Sequence, residues 1–448
     1  KQKKDCKEIL VNKYLIACLL FVSACSFDTR SGIWTDKKEI IASNKDITVL
    51  FEIKEDKQQE FNPDLKISIS NLPKINLNEA NLTNNTGINN FFEGINNISK
   101  FKFSKIEDFN YFEPELIITS NGFIFFDDKG NIINFNENSV INWKTNIYSK
   151  VEKKLKPKIT LFRSENNLVA FDNISKFYSL DLNSGEILWI KSISNPINSQ
   201  IKIHEDKIFA VDLNNILRCY SLKNGEELWR YGSGNNFLKS NKRNSIVIKN
   251  KTVYFNNSLG DISAVNINDG SLLWQTPTQS SRILENAFSL VTSDLVFGEK
   301  EIIFSNNRNE LYSINSENGK INWKQKINSI IRPVIIENLI FTLSIEGYFY
   351  IIEKNSGNIL RITKVLNEKK KNISSFMKRS SQDSSAVGIL VGEKKTFFTT
   401  NNGILFTIDN QTGKTVSSYR IDGDKISRPF IFNDSLLIVK NNSIIKFN

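Results

Sequence analysis

From about residue 105 onward, apolar and polar residues alternate in short runs, and clusters of Gly, Asn, Asp and Ser separate the runs. A period of two predicts half-buried β-strands, and the clusters predict tight reversals between them. One stretch shows the unit clearly. Thr252 to Phe255 reads as a strand, Asn256 to Gly260 as a tight connection and Ile262 to Val265 as a second strand. Asn266 to Gly270 is then another turn, and Leu272 to Trp274 a third strand. This is an antiparallel meander.

The meander recurs. Gly185 with Trp189, Gly225 with Trp229, Gly270 with Trp274 and Gly319 with Trp323 each place a tryptophan four positions after a glycine, and the tryptophans follow one another at 40, 45 and 49 residues. Self-similarity at the size of a small sheet marks a repeat architecture. The first connection carries Gly130, Ser175, Asn215, Gly260, Asn309, Gly347 or Gly403, residues that tolerate positive φ in a two-strand reversal. The second opens on Asp181, Ser221, Asn266, Asn315, Glu353 or Asp409 and closes on Gly185, Gly225, Gly270, Gly319, Gly357 or Gly413. An acceptor at its start can bind backbone N–H groups, and glycine supplies positive φ.

Seven units can be counted. The first ends near Trp143 with a turn one residue shorter, four carry the full pair, and two have Arg361 and Ser417 in place of tryptophan. An eighth supplies only Leu436 to Lys440 and Ile444 to Phe447, so its missing strand must come from elsewhere; the segment with Phe101 and Phe103 is the best placed. Sharing a strand between first and last units closes a ring and hides its edges. The expectation is therefore an all-β fold, an eight-bladed β-propeller of four-stranded antiparallel blades closed by an N-terminal strand. Trp143, Trp189, Trp229, Trp274 and Trp323 recur at one structural position, which assigns them to packing between blades rather than to a binding site.

The first segment has a different texture. Lys1, Lys3, Lys4, Lys7 and Lys13 precede an apolar run from Tyr14 to Val22, which ends in Ser23, Ala24 and Cys25. Charge, a short apolar core and small residues in register read as a signal peptide over 1–25. Its end resembles a bacterial lipobox, which implies lipid attachment at Cys25, and Ser26 after it implies the outer membrane. Residues 26–97 are rich in asparagine and poor in periodic apolar positions, so they read as a low-complexity tether before a propeller domain at 98–448.

Composition narrows the chemistry. The net charge is +11, but the lysines are scattered rather than striped, which argues against a nucleic-acid surface. The basic stretch Lys369 to Lys371 with Lys378 and Arg379 lies in a long insertion, 362–395, and reads as a solvated loop. Of four cysteines, Cys6, Cys18 and Cys25 lie in the first segment, which leaves Cys219 alone in the body. The single histidine, His204, has no second histidine with which to bind metal. Asp181, Asp261 and Asp409 sit at turns, where backbone hydrogen bonding explains them. No Gly-rich phosphate loop or nucleophile elbow occurs.

The segments "LDLNSGEILW" and "VNINDGSLLW" resemble the repeat of the pyrroloquinoline-quinone (PQQ) type propellers, over roughly 105 to 448. Within that superfamily, a lipoprotein with eight such blades resembles the propeller lipoproteins of the outer-membrane β-barrel assembly machinery. The resemblance implies a non-catalytic scaffold without cofactor, held by lipid at the periplasmic face of the outer membrane. Its implied partners are the periplasmic domains of the barrel-inserting protein and, through exposed blade edges, unfolded outer-membrane proteins. In that family a leucine- and arginine-bearing loop docks the partner together with an acidic pair. Here Leu238 matches a leucine and Lys239 stands for the arginine, keeping charge but losing the bidentate fork. The acidic pair has no counterpart in register, although Glu285 and Asp294 are nearby. Two other readings remain open: a PQQ-dependent dehydrogenase, opposed by the absence of a Cys-Cys pair, and a sugar- or polymer-binding propeller.

Overall fold

Eight antiparallel sheets follow one another along the chain in the computed structural model. The structure describes residues 48–51, 67, 69, 85, 95, 98–232, 242–278, 290–366 and 384–447. Blade 4 is representative, with strands Ile246–Lys249, Thr252–Asn256, Ile262–Asn266 and Leu272–Thr276 paired in chain order. First strands of successive blades pack on one another, as Lys202–His204 does on Ile246–Lys249 and on Ile159–Arg163. They therefore ring the axis, and the fourth strands form the rim. Among the described residues the only helices are two 3-10 turns, Phe109–Tyr111 and Glu152–Leu155.

The ring closes with a borrowed strand. Phe430–Phe432, Ser435–Lys440 and Ser443–Phe447 make three strands of blade 8, and Ile98–Lys102 adds the fourth, with Phe101 opposite Ile444. The fold is an eight-bladed β-propeller. Its turns take the expected conformations. Gly130, Ser175, Asn215, Gly260, Asn309, Gly347 and Gly403 all have positive φ, from 61° to 87°. Where the first blade has a shortened second turn, Ser139 replaces the usual glycine at φ 65°.

Two features depart from the sequence reading. The meander read from alternation lacks the axial strand of each blade. In blade 4 that strand buries Ile246, Val247 and Ile248 in succession, so both faces are covered and no alternation appears. The second departure is in the asparagine-rich span. Thr48–Phe51 pairs antiparallel with Thr415–Arg420, adding a fifth strand to the rim of blade 7. Ile69, Asn85 and Ile95 from the same span are buried. Few periodic apolar residues mark these contacts in the sequence.

The core lies between blades. Phe209 and Val211 of blade 3 pack with Ile246, Val253 and Phe255 of blade 4, and similar clusters join the following pairs. Within blades, Phe171 stacks on Phe177 at 4.0 Å and Phe398 on Phe406 at 4.8 Å.

Candidate functional site

Each rim tryptophan belongs to a joint with the next blade, not with the glycine four residues before it. A Cβ placed on Gly225 would lie 2.6 Å from the Trp189 ring, and one on Gly270 would lie 2.5 Å from the Trp229 ring. Gly185, Gly319 and Gly357 stand in the same relation to Trp143, Trp274 and Trp323. Glycine is required there twice over, by the close ring and by φ near 70°. The indole Nε1 then donates to a carbonyl of that next blade: Trp143 to Leu182 at 3.2 Å, Trp189 to Leu222 at 3.0 Å, Trp274 to Ser316 at 3.0 Å and Trp323 to Lys354 at 2.8 Å. Trp229 Nε1 makes no such bond. In blade 6 the Arg361 stem takes the tryptophan's place and lies 3.2 Å from a Cβ on Gly413.

This joint leaves an unusual rim. In blades 1 to 7 the register shifts once between the third and fourth strands, just before the tryptophan position, as a β-bulge. Apolar side chains beside it face solvent: Ile141, Ile187, Leu188, Leu228, Leu272, Leu273 and Ile321 are all about half exposed or more. Outside blade 7, the rim strands have one unpaired edge among the described residues. An unpaired edge with apolar side chains is a template for an incoming strand. In blade 7 the strand Thr48–Phe51 already occupies it.

The axis is charged instead. Two residues before the axial strands of blades 1, 3, 5, 6 and 8 stand Glu115, Gln200, Asp294, Arg332 and Arg428, and Arg243 precedes that of blade 4 by three. They converge on a cavity of about 140 Å³. Glu115 Oε2 accepts from Arg428 at 2.5 Å, and its Oε1 accepts from Arg243 and, at 3.4 Å, from Arg332. Asp294 Oδ2 accepts from Arg332 Nε at 2.8 Å and from Gln200 Nε2 at 3.1 Å. Burial alone would raise the Glu115 carboxyl; the guanidiniums of Arg428, Arg243 and Arg332 overcome it and hold that carboxyl well below the usual range. Asp294 is held down in the same way, with Arg332 the leading charge against burial.

Asn85 reaches this centre from the N-terminal span. Fully buried, it donates to Gln200 Oε1 at 3.0 Å and to the Leu295 carbonyl at 2.9 Å, and it accepts from Lys202 Nζ at 2.7 Å. Burial, followed by the Arg332 charge, pushes the Lys202 ammonium well below its ordinary pKa.

A family model described as "Outer membrane protein assembly factor BamB" matches residues 128–363, just over half of the sequence. The chain belongs to that family. The crystal structure of BamB from Moraxella catarrhalis matches with a TM-score of 0.60 and 12% identity, over 78% of this chain and 100% of that one. The C-terminal WD40 domain of Sif2 matches with a TM-score of 0.57 and 12% identity, over 80% and 99%. The computationally designed Ika8 protein gives 0.56 and 9%, over 78% and 99%. At these identities the likenesses show the propeller fold. No curated protein matches the sequence.

Residues singled out in the sequence fall unevenly on this BamB-family propeller. Cys25, Leu238 and Lys239 lie outside the described residues, as does Glu285. Lys242 and Arg243, at the end of the Leu238 loop, line the cavity at the axis. Asp294 is buried in its ion pair with Arg332 at 2.6 Å and is no surface acid. His204 is partly exposed at the end of an axial strand, 3.9 Å from Glu205. Cys219 is buried within blade 3, and burial pushes its thiol up to about 12. Asp181 and Asp409 accept turn N–H groups, at 2.8 Å from Ser184 and 2.7 Å from Thr412.

The axial residues do not fit the calcium-bound quinone implied by resemblance to the dehydrogenases. Such a cation needs several free acidic and amide oxygens, whereas arginines hold both Glu115 oxygens and Asp294 Oδ2, Lys202 holds the Asn85 oxygen, and among these Asp294 Oδ1 alone is unpartnered. Sequence reasoning missed this charged ring. Its signal was the charged or amide residue just ahead of each axial apolar run, as in "IRPVI" and "SRPFI".

Proposed function

We propose that this chain is a non-catalytic scaffold for assembly and insertion of outer-membrane β-barrel proteins. The observation that carries the reading is the rim, where apolar residues flank unpaired strand edges and one edge already holds an added strand, Thr48–Phe51. Extended segments of unfolded outer-membrane proteins add there by main-chain hydrogen bonds, a mode that needs no sequence-specific pocket. Family membership supports the same role. The loop with Leu238 and Lys239 contacts the periplasmic domains of the barrel-inserting protein, and a lipid on Cys25 holds the scaffold at the periplasmic face of the outer membrane.

Affinity capture from solubilised outer membranes tests this directly. The tagged protein is expected to recover the barrel-inserting protein, and Leu238→Ala with Lys239→Ala to reduce that recovery. Failure to recover it overturns the proposal, as does PQQ or calcium bound stoichiometrically in the purified protein. Cys25→Ser is expected to move the protein from the membrane to the soluble periplasmic fraction.

A further inference from the structure

We propose that the axial cavity is a binding site for a small carboxylate with an apolar body. The charge on its wall is unbalanced. Among the described residues Arg163, Lys242, Arg243, Arg332 and Arg428 line it against Glu113, Glu115 and Asp294, an excess of two positive charges before Lys202 is counted. A net charge withdrawn from water is costly unless something neutralises it. The guanidinium donors are also incompletely used: Arg163 Nη2, Arg243 Nε and Arg428 Nε are buried and have no hydrogen-bond partner among the described residues. Buried unsatisfied donors are rare, and three of them on described residues that line one cavity, against a single unpartnered acceptor among those residues, Asp294 Oδ1, point to a missing acceptor.

The nature of that acceptor follows from the rest of the wall. Planar guanidinium forks match a carboxylate, while Phe162, Ile389 and Phe430 give the cavity an apolar side. Its volume of about 140 Å³, at roughly 10–15 Å³ for each water-sized site, accommodates on the order of ten non-hydrogen atoms. Asn85 and Lys202 form one flank, and the anion would restore the charged form of Lys202 that burial and Arg332 disfavour.

Calorimetric titration of the purified full-length protein with hexanoate, hexanol and inorganic phosphate tests the site. Hexanoate is expected to saturate at one per chain, with hexanol and phosphate each at least about tenfold weaker, because hexanol lacks the charge and phosphate the apolar body. Arg163→Gln, which breaks no ion pair among the described residues, is expected to weaken hexanoate roughly tenfold without moving the melting temperature. Glu115→Gln is expected to tighten it, since a competing carboxylate is lost, whereas a purely structural role for Glu115 predicts no gain. Absence of a saturable hexanoate signal overturns the proposal. So does equal binding of hexanol or phosphate, or an unchanged affinity in Arg163→Gln. Should that variant fail to fold, Arg163→Lys, which keeps the charge but loses the planar fork, carries the same expectation in affinity.

Discussion

At the rim, the joints between blades 1 and 6 repeat one solution: a half-buried indole over a buried glycine of the next blade, with a hydrogen bond in four of the five cases. At the axis the equivalent position is different in nearly every blade, passing from Glu115 through Gln200 and Asp294 to Arg332 and Arg428. Repetition at the rim serves packing, which every blade needs equally. Variation at the axis builds one asymmetric cluster, whose members matter only in combination.

The largest effect that separates the two regions is expected at the axis. Glu115→Ala leaves three partly buried arginines without their shared carboxylate and should cost about 3 kcal/mol in denaturant unfolding, the low end for a buried pair. A loss below about 1 kcal/mol would mean that the cluster is solvated in solution. The same ion pairs set a pH dependence. Glu115 and Asp294 have folded pKa values below their unfolded ones, so the unfolded chain takes up protons first as pH falls through about 4. The stabilisation is complete above that range and is lost progressively below it. The unfolding midpoint should therefore fall between pH 5 and pH 3, less steeply in Glu115→Gln, over about that interval.

At the rim, Trp189→Ala should cost about 2–3 kcal/mol, at or below the low end for a large aromatic because the ring is only half buried. Subtler is the comparison of Trp189→Phe with Trp229→Phe. Only the first loses an indole hydrogen bond, so it should be more destabilising by about 1 kcal/mol in matched thermal scans. Equal losses would show that the rings alone make the joint. The smallest expected change concerns the added strand. Replacing both Val49 and Leu50 by proline should speed amide exchange in Ser418–Arg420 while leaving global stability within about 0.5 kcal/mol.

Legibility in the sequence follows the same division. Rim strands alternate because one face packs and the other meets water, and their turns need glycine or asparagine, so the unit, its count and the closing strand could be read directly. Axial strands such as Ile246–Lys249 are covered on both faces and carry no alternation. The charged cluster was hidden for another reason: Glu115, Arg243, Asp294, Arg332 and Arg428 span more than 300 positions, and only ring closure brings them together. Asn85 was missed because a single buried amide in an asparagine-rich span resembles its neighbours.

Closure of blade 8 by Ile98–Lys102 sets an order of events. The pairing of Phe101 with Ile444 joins residues roughly 340 positions apart, and a contact of that span carries a large loop entropy before it returns any stabilisation. During synthesis or export the earlier blades can stack as an open arc, each supported by its neighbour. The arc cannot become a ring until Ser443–Phe447 has arrived, so the charged cluster, which includes Arg428 from the last blade, is assembled only in the completed molecule.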